Sequence, residues 1–399
     1  MQSYSTTTTA LLANGSVCRW EDDERPFNPR MWANSVSTVS VGYNIQAALT
    51  HGSRVIVGTM LGHAVTDITE QVYERLGKDL VGPITEIHTY KEVLAVTSRD
   101  RVVIINMEHN DKGSWCTDSK LYVFPCGIDM IWFGEHHGFI RTNDNCLYLT
   151  EGDLAYNGLY TKTTCLKLEQ IDFDAKSINN IICGPRYSVF IMDDTSIRTH
   201  GWASAGFSVN CHWAREDFIP LELKPKGHII KVVSCKPYVF YISVEGLCYY
   251  KCSHIIEKTQ ESEEHSPFLL KSLAGLVVNN VFSIRGFFII QHDGNRMCML
   301  KAIYGRYTGV LVWVMDMDYV HGLKTPNPLL HFGDQHIVSV LQAHSLAYFI
   351  TSEGHAYRGK TEMPSHTLTI ERLEFFDRHP VAVESNRQRI ASTRSCLDD

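Results

Sequence analysis

The stretch from Ile178 to Gly201 reads INNIICGPRYSVFIMDDTSIRTHG, and the fold prediction depends on its pattern. Two apolar runs are separated by a Cys-Gly-Pro turn, and the second run ends at Asp193-Asp194 before a third short run begins. β-Branched and aromatic residues favour strands, whereas Gly, Asn and Asp tolerate the positive φ of tight hairpin turns. The stretch therefore predicts consecutive antiparallel strands joined by short turns.

The same arrangement recurs along the chain. An apolar strand, a polar turn and a second strand are found around eight turn residues, namely Gly15, Gly52, Asp100, Asp144, Asp194, Gly246, Gly294 and Gly354. A further short apolar element precedes several of these hairpins and begins at Val36, Ile178, Ile230, Val278 and Ile337. All-β units of roughly 40 to 50 residues are typical of propeller blades. We therefore predict an all-β chain that forms one closed β-propeller.

The repeat resembles that of the regulator-of-chromosome-condensation (RCC) family, in which V-x-x-V-x-C-G leads through a D-G turn to V-Y-x-W-G. The copies that carry the resemblance are Cys183-Gly184 with Asp193-Asp194 and Gly201-Trp202, and the segment from Glu353 to Gly359. The resemblance covers almost the whole chain, but the G-Q-L-G tail of the family repeat is missing or broken. Another kind of propeller is the main alternative, followed by a pair of β-sandwiches or a β-solenoid.

The two ends of the chain are expected to close the ring. Pro380 to Ser385 is similar to the front half of a repeat, and Ala10 to Trp20 supplies the back half. Pairing of these segments would remove an open sheet edge. The family implies seven blades, whereas the hairpins in this sequence give eight, so we keep both counts open. Residues 1–399 are predicted to form a single domain, with residues 1–8 disordered.

Charge and hydropathy argue against two classes of function. The net charge is −7, whereas nucleic-acid binders carry a basic surplus that neutralises phosphates. No apolar run reaches the length of a membrane-spanning helix, and the N-terminus lacks the features of a secretory signal. The twelve cysteines are scattered, mostly in apolar runs, which suits a reducing compartment. We expect no direct nucleic-acid binding, no membrane insertion and a cytoplasmic protein, with the nucleus as alternative.

No catalytic motif is present, and we expect no catalytic, cofactor-binding or metal-binding residue and no cofactor. The adjacent histidines 136 and 137 read as part of a turn, because neighbouring side chains on an extended chain point to opposite faces. Cys248 and Cys252 read as strand residues. Long loops on a rigid scaffold often carry binding, and aromatic residues are enriched in binding hot spots. The loop candidates for partner binding are therefore Trp202, Trp213, Tyr304 and Tyr307.

These observations favour a non-enzymatic scaffold that binds one or more proteins. The resemblance implies an alternative, guanine-nucleotide exchange or another regulatory role on a small GTPase, which works by differential binding rather than by bond chemistry. None of the family's exchange residues can be matched to a position in this chain. An enzyme housed in a propeller lacks any supporting motif.

Overall fold

The structure is a computed structural model of all 399 residues, and its described part is all-β apart from two short helices and one 3-10 turn. The described residues are 7–21, 27–41, 45–59, 65–77, 82–90, 93–107, 116–133, 137–151, 167–183, 187–201, 219–220, 228–235, 238–252, 268–270, 273, 275–284, 287–294, 296–301, 303–307, 310–314, 327–328, 336–343, 346–362 and 367–383. No helix within these ranges is long and apolar enough to cross a bilayer. The chain divides into two compact units, residues 1–175 with 338–399 and residues 176–337.

The first unit begins with four antiparallel sheets, each with its strands in sequence order. Sheet A contains β1 (Thr7–Leu11), β2 (Val17–Glu21) and β3 (Arg30–Ala33). Sheet B contains β4 (Val36–Val41), β5 (Ile45–Thr50), β6 (Val55–Thr59) and β7 (Val65–Asp67), and helix α1 (Thr69–Leu76) follows it. Sheet C contains β8 (Ile84–Tyr90), β9 (Val93–Ser98), β10 (Arg101–Met107) and β11 (Cys116–Val123). Sheet D contains β12 (Ile128–Phe133), β13 (Gly138–Thr142), β14 (Leu147–Glu151) and β15 (Lys167–Ile171).

The second unit repeats the four-stranded arrangement three times. Sheet E contains β16 (Ile178–Cys183), β17 (Tyr187–Met192), β18 (Ile197–Gly201) and β19 (Ile219–Pro220). Sheet F contains β20 (Ile229–Cys235), β21 (Tyr238–Ser243), β22 (Cys248–Cys252) and β23 (Phe268–Leu269). Sheet G starts with β24 (Val278–Ile284), β25 (Phe287–His292) and β26 (Arg296–Lys301). A separate hairpin, β27 (Ile303–Tyr307) with β28 (Val310–Val314), precedes the last strand of sheet G, β29 (Asn327–Pro328).

The C-terminal part of the first unit completes the series. Sheet H contains β30 (Ile337–Ala343), β31 (Leu346–Thr351), β32 (Ala356–Glu362) and β33 (Thr367–Arg372), and helix α2 (Phe375–Arg378) follows it. The described part of the chain thus contains eight antiparallel sheets of three or four strands, as the repeat predicts. The single-domain assignment and the closed ring stay predictions. β1 begins at Thr7, so Thr7 and Thr8 are paired although the sequence placed them in a disordered segment.

Both faces of the central strands are buried because neighbouring sheets within each unit pack on each other. All six residues of β5, of β9 and of β31 are buried, which explains why these strands read as continuous apolar runs. Sheets B and C share a core into which α1 inserts Val72 and Leu76. This helix was not predicted from the sequence, although its buried residues follow an i, i+4 spacing.

We call the turns between the second and third strands of the repeat the hairpin tips, and six of them share one geometry. In the tip of sheet B the Thr50 N–H donates to Arg54 O (3.0 Å), and Thr50 O accepts from Ser53 N (2.9 Å). Ser53 has a φ of 59°. This is the three-residue loop whose last residue is left-handed, a common connection between antiparallel strands. Five other tips contain the same two bonds, and the last residue of each loop again has a positive φ. These residues are Gly15, Asn145, Thr195, Gly246 and Gly354.

The two ends of the chain pair in the way that the sequence predicts. Leu12 forms an antiparallel bridge with Val381, Ala13 N donates to Pro380 O, and Ala382 N donates to Leu11 O, both at 2.8 Å. In sheet B the equivalent tip bond runs from His51 N to Ser35 O, the residue before the first strand. The C-terminal segment therefore occupies the place of the missing first strand of sheet A.

Candidate functional site

The four aromatic residues predicted to bind a partner do not form a site within the described part of the chain. Trp202 and Trp213 lie outside the described residues. Tyr304 and Tyr307 lie on β27, where their register partners are Trp313 and Val310. The structure describes the backbone of this hairpin but not its side chains. The four residues stay predicted candidates for partner binding.

Three exposed aliphatic side chains surround the tip of sheet F. Ile230 and Val244 are each 59% exposed and Val277 is 50% exposed, whereas most large apolar residues of the described chain are buried. We call these three residues the tip patch. Isolated exposed aliphatic residues are ordinary, but a contiguous group of them on a folded protein marks an interaction site.

Backbone contacts bring the three residues together. Val244 is the first residue of the tip, and its N–H donates to His228 O (2.8 Å), two residues before Ile230. Val278 N donates to Gly246 O (3.0 Å), so the start of sheet G lies against the same tip. A Cβ at Gly246 would be 2.7 Å from Val277 Cγ1, which means that the Val277 side chain lies directly over the turn. These contacts place the three exposed residues around one hairpin tip.

The fold does not require an apolar residue at any of the three positions. Ile230 is the bulged residue of β20, because Ile229 pairs with Ser243 whereas Lys231 pairs with Ile242. The equivalent bulged residues of five other sheets are polar, namely Ser37, Thr85, Asp129, Asn179 and Asn279. They satisfy local bonds, for example Ser37 Oγ to Leu49 O at 2.9 Å. Ile230 makes no such contribution, since its side chain has no donor or acceptor.

The other two positions show the same contrast. In this kind of tip bond the first tip residue donates its N–H to the carbonyl of the residue before the first strand of the same sheet. The donors that correspond to Val244 are Ala13, His51, Asn143, Asp193 and Asp293. The acceptors that correspond to Val277 are Ser35, Gly127, Ser177, His228 and Pro380. Neither set contains another large aliphatic residue. Other sheets fold without large aliphatic residues at these two positions. The apolar character of the tip patch is therefore not required by the fold.

Two carboxylates border the tip patch. Glu245 follows Val244 and is exposed, and a hydrogen bond from Ser243 is the main cause that lowers the pKa of its carboxyl. Asp293 Oδ1 accepts from the Val277 N–H at 3.1 Å, and this bond, together with His292, lowers the pKa of the Asp293 carboxyl. Hydrogen bonds and positive charges that favour the charged form shift carboxyl pKa values downwards. Both groups are therefore ionised at neutral pH.

A signal for this site was present in the sequence. The tip of sheet F reads Val244-Glu245-Gly246, whereas other tips begin with a polar or small residue. Apolar residues in a turn are unfavourable in water, so aligning the repeats by their turns would have singled out Val244. The register shift that exposes Ile230 has no such signal, because a bulge is a property of strand pairing.

The remaining exposed aliphatic residues do not gather in the same way. Met31, Val65, Leu121 and Val123 lie on β3, β7 and β11, the last strands of three different sheets. Among the described residues, no group of three or more histidine, cysteine or acidic side chains is arranged to hold a metal ion. Cys248 is buried on β22, as the strand assignment predicts.

The fold and the site together define the class: an all-β repeat protein of small antiparallel sheets, with an apolar surface at one hairpin tip. Neither a scan against protein-family models nor a search of curated proteins finds a match. Similar solved structures do exist. The structure of the dihydro-heme d1 dehydrogenase NirN is 8% identical over 93% of this chain and 73% of its own, with a TM-score of 0.51.

Two further similar structures belong to the comparison that the sequence motifs suggested. Human WBSCR16 is 12% identical, with 80% of this chain and 88% of its own covered and a TM-score of 0.48. Yeast RCC1 (Prp20), solved with Kap60, is 10% identical over 79% of this chain and 81% of its own, also with a TM-score of 0.48. A protein of the RCC type is among these similar solved structures. At these identities the likeness concerns the fold alone.

Proposed function

We propose that this chain is a closed eight-bladed propeller of the RCC type that acts as a non-enzymatic scaffold and binds a partner protein through the tip patch. The observation that carries the functional part is the exposure of Ile230, Val244 and Val277 around one hairpin tip. Aliphatic surface gains about 25 cal/mol for each Å² that a partner removes from water. Burial of the tip patch would therefore favour association.

Contacts between the last and first sheets support the eight-bladed ring. Val36 N of sheet B donates to Gly15 O at the tip of sheet A (2.8 Å), and Val278 of sheet G makes the same bond to Gly246 of sheet F. Val381 N donates to Gly354 O at the tip of sheet H, also at 2.8 Å. Sheet H thus stands next to sheet A in the way that sheet A stands next to sheet B and sheet F next to sheet G. A ring of eight sheets requires this relation.

The proposed binding role is tested with one charged substitution in the tip patch and one at an ordinary tip. Val244→Asp places a carboxylate among the aliphatic side chains, and Ser352→Asp makes the matched change at the tip of sheet H, where Ser352 is exposed. Tagged wild type and both variants are incubated with native lysate, and bound proteins are quantified by mass spectrometry. We expect a stable set of partners that Val244→Asp loses and Ser352→Asp keeps. A set that is unchanged by Val244→Asp contradicts the tip patch as the binding surface.

The exchange role on a small GTPase stays a prediction from the sequence resemblance, since no described residue favours it. The same capture with EDTA addresses it, because EDTA removes magnesium and so enriches nucleotide-free GTPases. A GTPase that is retained more strongly with EDTA would bring the exchange role forward. A partner set that is indifferent to EDTA would leave the scaffold role standing alone.

A further inference from the structure

We infer that the segment bound by the tip patch presents aliphatic side chains directly next to a lysine or arginine, which pairs with Glu245. This inference rests on the proposed function and adds the chemistry of the partner. The aliphatic part follows from Ile230, Val244 and Val277, which only another apolar surface covers favourably. The basic part follows from the charges that border the patch.

Glu245 is the charge best placed to select a partner. It lies in the tip between Val244 and Gly246, and its carboxylate accepts a hydrogen bond from Ser243, the residue before Val244. Within the described residues, it forms no ion pair with a lysine or arginine of this chain. A partner's cation at this point gains a charge-assisted hydrogen bond without breaking one. An acidic partner would instead place like charges side by side at the edge of an apolar contact, where water is partly excluded.

Among the residues that the structure describes, three further ionisable groups lie near the patch. Asp293 Oδ2 is 3.0 Å from His292 Nδ1, and Arg296 also lowers the pKa of the Asp293 carboxyl. Lys231 is exposed and follows Ile230, but it pairs with Ile242, one step further from the tip than Ser243. His228 Nδ1 lies 2.7 Å from Thr195 Oγ1, and His228 also lowers the pKa of the Glu245 carboxyl. Among the described residues, Glu245 is therefore the charged group next to Val244 in the tip.

The experiment uses a phage-displayed library of random dodecapeptides selected on the full-length chain. Binders are counter-selected on Val244→Asp, with Ser352→Asp as the control bait. We expect peptides that hold two or more of Leu, Ile and Val next to Lys or Arg, and that are retained on Ser352→Asp. An enriched peptide is then synthesised with a fluorophore, and its Kd is measured by fluorescence polarisation.

A charge swap tests whether a lysine or arginine of the bound peptide pairs with Glu245. Glu245→Lys should weaken the basic peptide about tenfold, since reversal replaces a rim attraction by a repulsion. The same peptide with its lysine or arginine replaced by glutamate should bind Glu245→Lys better than wild type. Because Val244 and Glu245 are both exposed, Val244→Asp should leave the thermal unfolding midpoint unchanged. Glu245→Lys should lower it only slightly, through loss of the bond from Ser243, and the midpoint serves as the folding control.

Each other outcome overturns the inference in a recognisable way. Enriched peptides with acidic residues, or with no charge preference, would refute the basic partner and leave the protein-binding proposal standing. A selection that does not distinguish wild type from Val244→Asp would refute both. Concentration-dependent sedimentation that Val244→Asp abolishes would assign the patch to a second copy of this chain and refute the peptide partner.

Discussion

Gly354→Ala tests whether the C-terminal segment is seated against the tip of sheet H. Gly354 has a φ of 82°, a conformation that residues with a Cβ adopt at a cost. A Cβ at this position would lie 2.5 Å from Val381 O, 2.9 Å from Pro380 Cβ and 3.0 Å from Val381 N. Non-bonded carbon contacts are most favourable at about 3.5 to 4.0 Å. The alanine methyl therefore cannot enter unless residues 380–382 move away.

Gly294→Ala is the matched control. Gly294 has a φ of 85°, but no described atom lies within 4 Å of a Cβ there. Both substitutions carry the strain of a left-handed alanine, on the order of 1 kcal/mol. Only Gly354→Ala also displaces the C-terminal segment, which endangers the bonds from Val381 N to Gly354 O and from Ala13 N to Pro380 O. Two hydrogen bonds at about 1 kcal/mol each predict that Gly354→Ala costs roughly 2 kcal/mol more than Gly294→Ala.

Urea unfolding followed by circular dichroism measures the difference between the two variants. Hydrogen–deuterium exchange adds a local readout, because the amides of Ala13 and Ala382 should lose protection in Gly354→Ala and keep it in Gly294→Ala. Equal urea midpoints for the two variants, together with unchanged protection at both amides, would refute the seating of the C-terminal segment. That result would also remove the main support for a ring of eight blades.

Two further predictions concern a strained turn and the reactivity of the thiols. Thr195 is a β-branched residue at a φ of 62°. Thr195→Gly and Thr195→Ala both lose the contact with His228, but only alanine keeps the strain, so the glycine variant should be more stable in urea unfolding by about 1 kcal/mol. A lower midpoint for the glycine variant than for the alanine variant would contradict this reasoning. Burial raises the pKa of the Cys18 thiol to about 12, so it stays protonated at pH 8, whereas Cys126 is exposed. Peptide-resolved iodoacetamide labelling at pH 8 should therefore modify Cys126 in the native chain and Cys18 only after unfolding, and prompt labelling of Cys18 would disprove its burial.

The strands were predictable because their signal is local. The short element expected to begin at Ile178 is β16, and the hairpin expected around Glu353-Gly354 joins β31 to β32. Alternating turns and apolar runs at a regular spacing leave little freedom in where such strands begin. The pairing of the chain ends was also predictable, since each end matched only part of a repeat.

The turn residues show where local reasoning fails. Gly52 was expected to provide the positive φ of its hairpin, but the left-handed residue is Ser53. The loop has three residues, so the special position comes one residue later than the glycine suggests. Helix α1 was missed for a related reason: its packing between sheets B and C decides its conformation, and the sequence shows this only through Val72 and Leu76.

The candidate site was missed because it consists of deviations from the repeat rather than of a motif. A repeat constrains its buried strand positions strongly, since each side chain there fills a core shared with the next sheet. Its tip positions are constrained only by backbone bonds, which any residue except proline can make with its N–H. Such positions can change character in one repeat without cost to the fold. An aliphatic residue is unfavourable there in water, so three of them around one tip are best explained by a partner that removes them from water.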